Sequence, residues 1–155
     1  MSRVKTGALI VIEREQSLTD YESTGIDIDA LVSSQLLINI FEHNTPLHDG
    51  AVIIRGNRVT AATCYLPLTD KANISKDLGT RHRAGVGVSE AADSITVIVS
   101  EETGKISLAV DGNLYRNIEG EKLKEKLMEL LKVNVVLKQT KSKKLKSPKE
   151  RKGKA

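Results

Sequence analysis

The chain predicts an α/β fold: a single globular domain with a central mixed β-sheet surrounded by helices. Three observations carry this. The continuous apolar run Gly7–Ile12, β-branched at its end and stopped by charge, suits a buried strand, and Ser94–Ser100 reads as another strand. Segments with i, i+3, i+4 apolar spacing alternate with them, as helices covering a sheet require. The 155 residues, 39% of them apolar, are enough for one core. Aromatics make up only 3% and Trp is absent, so that core is built of Ile, Leu, Val and Ala.

In chain order, Gly7–Ile12 is a strand that stops at Glu13-Arg14-Glu15, and Leu18–Gly25 is polar and turn-like. Ile26–Asp29 alternates apolar and acidic residues, the pattern of a short half-buried strand. Ser33 and Ser34 are suited to cap a helix over Ser34–Glu42, which the density of Leu and Ile predicts to be buried on more than one side. His43–Gly50 is a loop by composition. Ala51–Ile54 and Val59–Leu66 flank a Gly-Asn pair and read as a hairpin. Pro67–Lys76 is a loop, and a helix follows from Gly79 or Thr80 to about Ala92. Ser94–Ser100 and Lys105–Val110 form a second hairpin around Glu101–Gly104. Leu123, Leu127, Leu130 and Leu131 mark a last amphipathic helix, and Val133–Leu137 reads as a last strand.

The formal net charge of +4 is unevenly spread. Lys138–Ala155 holds nine of the 24 Lys and Arg and one of the 20 acids, so this tail is +8 and the rest of the chain is −4. The tail has no apolar period and reads as a disordered segment after a globular part over residues 1–137; a solvated terminus and a weak contact with anionic lipid or nucleic acid both suit it. The acidic globular part and scarce aromatics argue against nucleic-acid binding. The single cysteine, Cys64, excludes a disulfide framework and fits a reducing compartment. It lies in an apolar run and reads as a small buried hydrophobe. No apolar stretch is long enough to span a bilayer, and no signal peptide is evident, so the chain reads as soluble and cytoplasmic.

Two constellations carry chemistry. In Pro46-Leu47-His48-Asp49-Gly50-Ala51, a plain Asp-Gly turn is one reading. A ligand site is the other, because no strand precedes the turn and a His and an Asp stand together just before a buried strand. The carboxylate can hold a divalent metal or accept a proton, and the imidazole can be a second ligand. In Gly79-Thr80-Arg81-His82-Arg83-Ala84-Gly85, three basic groups sit where a helix begins, the end at which cations are disfavoured. A bound anion would relieve that conflict, and free N–H groups, the Thr80 hydroxyl and Arg forks suit phosphate. A solvated basic turn, or Arg paired with surface acids, is the alternative. Together the two suggest metal-assisted phosphoryl transfer.

At these residues the sequence resembles the diadenylate cyclase family, whose DGA and RHR signatures stand here as Asp49-Gly50-Ala51 and Arg81-His82-Arg83. Further similarity lies in GALIVIERE at Gly7–Glu15, TGIDIDALVSSQLLINIF at Thr24–Phe41, CYLPL at Cys64–Leu68 and VIVSEETGKIS at Val97–Ser107. The likeness spans Gly7 to about Leu131 and is greatest to the membrane-anchored CdaA type.

The resemblance implies the following. Residues 1–137 are the catalytic domain, and the reaction condenses two ATP into cyclic di-AMP and two pyrophosphates. Two subunits meet face to face, and each ribose 3′-hydroxyl attacks the other ATP's α-phosphorus. Asp49 binds the metal and helps activate the hydroxyl, with His48 as a further metal ligand. Thr80, Arg81, His82 and Arg83 hold phosphates or shape that wall. Gly50, Ala51, Tyr65 and Leu66 line the adenosine pocket, with Tyr65 stacking and the Leu66 backbone reading the adenine edge. Ser100, Glu101 and Glu102 lie near phosphates and metal. The cofactor is a divalent cation, Mg²⁺, Mn²⁺ or Co²⁺. The partners implied are a second copy, phosphoglucosamine mutase and a YbbR-domain regulator, and the full-length protein is anchored to the cell membrane with this domain facing the cytoplasm. The competing functions are a non-catalytic nucleotide sensor of the same fold, a metal-dependent phosphohydrolase and a nucleic-acid-binding module.

Overall fold

A computed structural model describes residues 1–131 of the chain. Its centre is a seven-stranded sheet in the order β2-β4-β3-β1-β5-β6-β7. The strands are β1 (Ala8–Glu13), β2 (Ile26–Leu31), β3 (Ala51–Arg55), β4 (Arg58–Cys64), β5 (Ser94–Val99), β6 (Ile106–Val110) and β7 (Asn113–Ile118). β1 pairs parallel with β3, and the other pairings are antiparallel, so the sheet is mixed. The helices are α1 (Thr19–Glu22), α2 (Ser34–Ile40), α3 (Thr80–Ala91) and α4, at residues 120–131. A short 3₁₀ turn, Ser2–Val4, precedes β1. No helix among the described residues is long and apolar enough to cross a membrane.

β1 shows how the sequence makes two cores. Successive strand side chains point to opposite faces. Ile10 joins Ile40, Phe41, Val52, Ile54 and Val59 on one face, against which Leu123, Leu127 and Leu130 of α4 pack. Leu9 and Val11 join Ile53, Ala61, Ile98 and the buried residues of α3 on the other. Because both faces are covered, central strands such as β5 are buried at every residue, which is why they read as near-continuous apolar runs, interrupted in β5 only by Ser94 and Thr96.

Four elements differ from the sequence reading. Leu18–Gly25 contains the one-turn helix α1, anchored by fully buried Leu18, whose N–H donates to Glu13 Oε2 at 2.9 Å. α2 is capped by Ser33, whose hydroxyl accepts from the Leu36 N–H, but it ends at Ile40 with Phe41 as its cap residue. It is not buried on several sides: Ile40 is its one fully buried residue and Ile38 is 49% exposed, because α2 covers a single sheet face. β4 ends at Cys64, so Tyr65 and Leu66 belong to the following loop. β7 occupies Asn113–Ile118, where no strand was expected; among the described residues it lies at the sheet's edge, mostly exposed, without a long apolar run. The expected strand Val133–Leu137 and the basic tail lie outside the described residues.

Candidate active site

Gly50 sits where the chain enters β3. Its φ of +83° is unfavourable for residues with a side chain, and a Cβ there would lie 2.8 Å from the Thr63 carbonyl carbon and 3.0 Å from Cys64 O. The register of β3 against β4 shifts just beyond this point, and Thr63 itself takes a φ of 57°, rare for a β-branched residue. This strained corner throws Asp49 outward: its side chain is 85% exposed. His48 is held from behind, its Nδ1–H donating to Thr45 O at 2.6 Å. That fixes the tautomer when the ring is neutral, so the Nε2 lone pair stands 3.4 Å from Asp49 Oδ1. The two atoms thus face each other as acceptors, an arrangement that suits a cation between them.

The second wall is the start of α3. Gly79 is its N-cap residue and gives no side-chain cap, so free N–H groups remain at Thr80 and Arg81. Arg81 pairs with Glu101, Nη1 to Oε2 at 3.1 Å. His82 is 7% exposed, and its pKa is lowered from 6.5 by burial, with nearby Arg116 and Arg81 adding to the effect and Asp77 opposing it. Arg116 reaches Asp77 at 3.3 Å.

Both walls line one cleft of about 640 Å³, within the usual range for small-molecule sites. It is bordered by Asp49, Gly50, Tyr65, Leu66, Thr80, Arg81, His82, Ser100, Glu101 and Glu102, among other residues. The corner before β3, the loop after β4, the start of α3 and the turn after β5 therefore converge, though they are far apart in sequence. Tyr65 is 76% exposed at the rim, and its N–H donates to Thr24 Oγ1 at 2.9 Å. Ser100 Oγ accepts the Glu102 and Thr103 N–H groups, each at 3.3 Å, and so caps the turn that carries the two acids. Cys64, 1% exposed, forms part of the floor; burial, with Glu22 and Asp27, pushes its thiol up to about 11, so it stays protonated.

Three of the expected site residues do not border the cleft: His48, Ala51 and Arg83. Ala51 is fully buried in the sheet. Arg83 lies two residues beyond Arg81, or roughly 200° around a helix, so the two cannot face the same way. Its carbonyl instead anchors the loop after β4 by accepting the Thr69 N–H at 3.1 Å. Conversely, Asp77, Lys105, Arg116 and Asn117 border the cleft without having been singled out. Arg116 and Asn117 come with β7, and the Asp111-Gly112 turn was the signal that could have found that strand.

Among the described residues, no group of three or more His, Cys, Asp or Glu could hold a metal ion. A carboxylate open to solvent with a neighbouring imidazole can supply two ligands to a divalent cation.

Residues 1–114 match the family model described as DAC, DisA bacterial checkpoint controller nucleotide-binding. The chain belongs to the DAC family. It is 57% identical over 134 residues to the cyclic di-AMP synthase CdaA of Bacillus subtilis, covering 86% of this chain and 49% of that protein. It is 55% identical over 131 residues to a diadenylate cyclase of Listeria monocytogenes, covering 84% of this chain and 48% of the relative. The chain thus spans about half the length of these curated relatives. Among solved structures, a double mutant of DacA from Staphylococcus aureus superposes with a TM-score of 0.83 at 55% identity, covering 84% of this chain and 87% of that one. A structure described as a hypothetical membrane spanning protein from Bacillus cereus gives 0.73 at 44% identity, over 76% of this chain and 58% of the other. The DacA likeness, at this identity, bears out the mixed-sheet α/β domain.

Proposed function

We propose that this DAC domain is a diadenylate cyclase that joins two ATP molecules into cyclic di-AMP. The observation that carries the reading is the meeting, in one open cleft, of an exposed acid beside an imidazole and a helix N-terminus bearing Thr80 and Arg81. These are the two halves of a phosphoryl-transfer site: one to hold a cation and the nucleophile, the other to hold phosphate oxygens.

In the proposed mechanism each subunit positions one ATP. Tyr65 offers a stacking face, and the backbone around Leu66 reads the adenine edge. The Thr80 and Arg81 N–H groups, the Thr80 hydroxyl and the Arg81 guanidinium bind phosphate, while Ser100, Glu101 and Glu102 form the wall beside it. Arg81 exchanges or shares its Glu101 partner as phosphate arrives. Buried, neutral His82 shapes that wall without adding a full charge. Asp49, with His48, would hold a divalent cation (Mg²⁺, Mn²⁺ or Co²⁺), which supplies charge neutralisation at the phosphates. Asp49 also orients the 3′-hydroxyl and takes up its proton. Each 3′-oxygen forms a bond to the other ATP's α-phosphorus, and each bond to pyrophosphate breaks. Asp49 at the open rim suits a half-site completed by a second copy. A regulator such as phosphoglucosamine mutase or a YbbR-domain protein would act by covering that rim or changing the pairing. Membrane anchoring of the full-length protein belongs to the same reading.

The test is incubation with ATP and Mg²⁺, then Mn²⁺, with products identified by mass spectrometry across a range of protein concentrations. Cyclic di-AMP and pyrophosphate, formed more than linearly with protein concentration, are expected. ATP binding without any cyclic product, with either metal and at high protein concentration, would replace this reading with that of a nucleotide sensor.

A further inference from the structure

Gly7 is buried directly before β1, in a backbone conformation that does not need glycine: its φ lies outside the left-handed range. What requires glycine is the space above it. A Cβ at Gly7 would stand 2.6 Å from Arg81 Cζ, 2.7 Å from Nη1 and 3.0 Å from Nη2. The whole guanidinium therefore lies against the Gly7 backbone, and Glu101 Oε2 also holds it, 3.1 Å from Nη1. The same N-terminal segment also braces the turn that bears Glu101. Ser2 Oγ donates to Gly104 O at 2.5 Å, and Gly104 packs against the Ser2 carbonyl so closely that a Cβ could not be inserted. The segment is itself folded into a hook by the bonds Thr6 N–H to Met1 O at 3.0 Å and Lys5 N–H to Ser2 O at 3.2 Å.

We propose that Gly7 is a positioning residue for Arg81: the bare backbone at the start of β1 is the bed on which the guanidinium lies in the cleft, aimed by Glu101. This rests on the phosphate-binding role given to Arg81 above. A methyl group here does not meet fixed backbone. It meets the far end of a flexible side chain, so the adjustment falls on the guanidinium rather than on the fold. A guanidinium displaced by about 1 Å loses the alignment that phosphate contacts require.

The experiment is a double-mutant cycle on Gly7→Ala and Arg81→Ala, reading the affinity for an ATP analogue blocked at the α–β bridge by calorimetry and the thermal midpoint of each variant. Gly7→Ala is expected to weaken binding by about tenfold, the scale of one charge-assisted hydrogen bond. On the Arg81→Ala background, where the obstructing group is gone, the alanine is expected to change neither affinity nor midpoint. If Gly7→Ala alone folds poorly, recovery of the midpoint in the double variant supports the same contact. A Gly7→Ala variant that binds normally, while Arg81→Ala binds weakly, overturns the inference and leaves the role of Arg81 standing. A double variant weaker than Arg81→Ala also overturns it, since Gly7 would then act on the fold. Normal binding by Arg81→Ala removes the phosphate role itself, and the inference with it.

Discussion

Asp49-Gly50 and Asp111-Gly112 are the same dipeptide, each beside a strand of the same sheet, and each glycine has positive φ, +83° and +77°. At Asp111-Gly112 both residues are left-handed, and Val110 pairs with Asn113 across them, so the pair is a two-residue hairpin turn. Its groups are taken up by neighbours. The Gly112 N–H donates to Ser89 Oγ at 3.0 Å, Gly112 O accepts from Lys71 Nζ at 2.6 Å, and Asp111 lies 3.5 Å from Arg14. At Asp49-Gly50 only the glycine is left-handed, no hairpin is closed, and the carboxylate projects into the cleft with His48 at 3.4 Å as its neighbour. The turn chemistry of Asp and Gly is thus spent on closing a hairpin in one place and on presenting a carboxylate in the other. Which of the two occurs depends on what precedes the pair, a strand or a loop.

Exchanging one oxygen for nitrogen should separate the pairs most widely. Asp49→Asn keeps the size but removes the charge and the proton acceptor, and cyclic di-AMP formation is expected to fall by about 10³-fold or more. Asp111→Asn is expected to leave turnover at the parent level. Both side chains are largely exposed, 85% and 74%, so both variants should keep stability within about 0.5 kcal/mol of the parent. Equal losses of turnover in the two variants would break the comparison. Initial rates with ATP and Mn²⁺, and urea midpoints, decide it.

The glycines sharpen the same contrast through stability. Gly112→Ala imposes the left-handed penalty of about 1–2 kcal/mol, and its methyl would meet Lys71 Nζ at 2.9 Å and Glu90 Cγ at 3.1 Å, side chains that can swing aside. Gly50→Ala imposes the same penalty and also meets the main chain of Thr63 and Cys64, which cannot. Its cost is expected to be about 3 kcal/mol or more, read as a lower urea midpoint at an unchanged slope. A Gly50→Ala loss no larger than that of Gly112→Ala would mean that the corner at β3 is free to relax.

The same physics decides what the sequence discloses. Buried central strands such as β1 and β5 are apolar at most positions, with only Glu13 at the end of β1 and Ser94 and Thr96 in β5 as exceptions, so their runs are legible without a structure. Among the described residues β7 pairs on one edge only and is mostly exposed, and Asn113–Ile118 carries too few apolar residues to announce itself; the Asp-Gly turn before it was the available sign. α1 is a single turn, too short for any period. Among the cleft residues, Asp49, Thr80, Arg81 and His82 stand in motifs whose residue types conflict with ordinary local structure, and that conflict makes them visible. Lys105 reaches the cleft from just before β6 and Arg116 from within the mostly exposed β7, where a lone cation conflicts with nothing. The converse holds for Arg83, which sits in the motif yet is turned away by helical geometry.

The smallest expected effect concerns His82, on the cleft side of the comparison. Burial, Arg116 and Arg81 together outweigh Asp77 and lower its pKa from 6.5, so the folded protein prefers the neutral ring. The unfolded chain then binds more protons than the folded one between the lowered value and 6.5, and stability rises with pH across that window. The contribution is fully present above 6.5 and is lost as pH falls through the lowered value. His82→Gln, which cannot titrate, should flatten the dependence of unfolding free energy on pH in that window, whatever it does to absolute stability. The Asp111-Gly112 corner has no histidine beside it, so Asp111→Asn should keep the parent's slope there. Denaturant titrations between pH 5 and pH 8 compare the three proteins. A slope that persists in His82→Gln would trace the pH dependence to other groups and leave the buried ring no part in it.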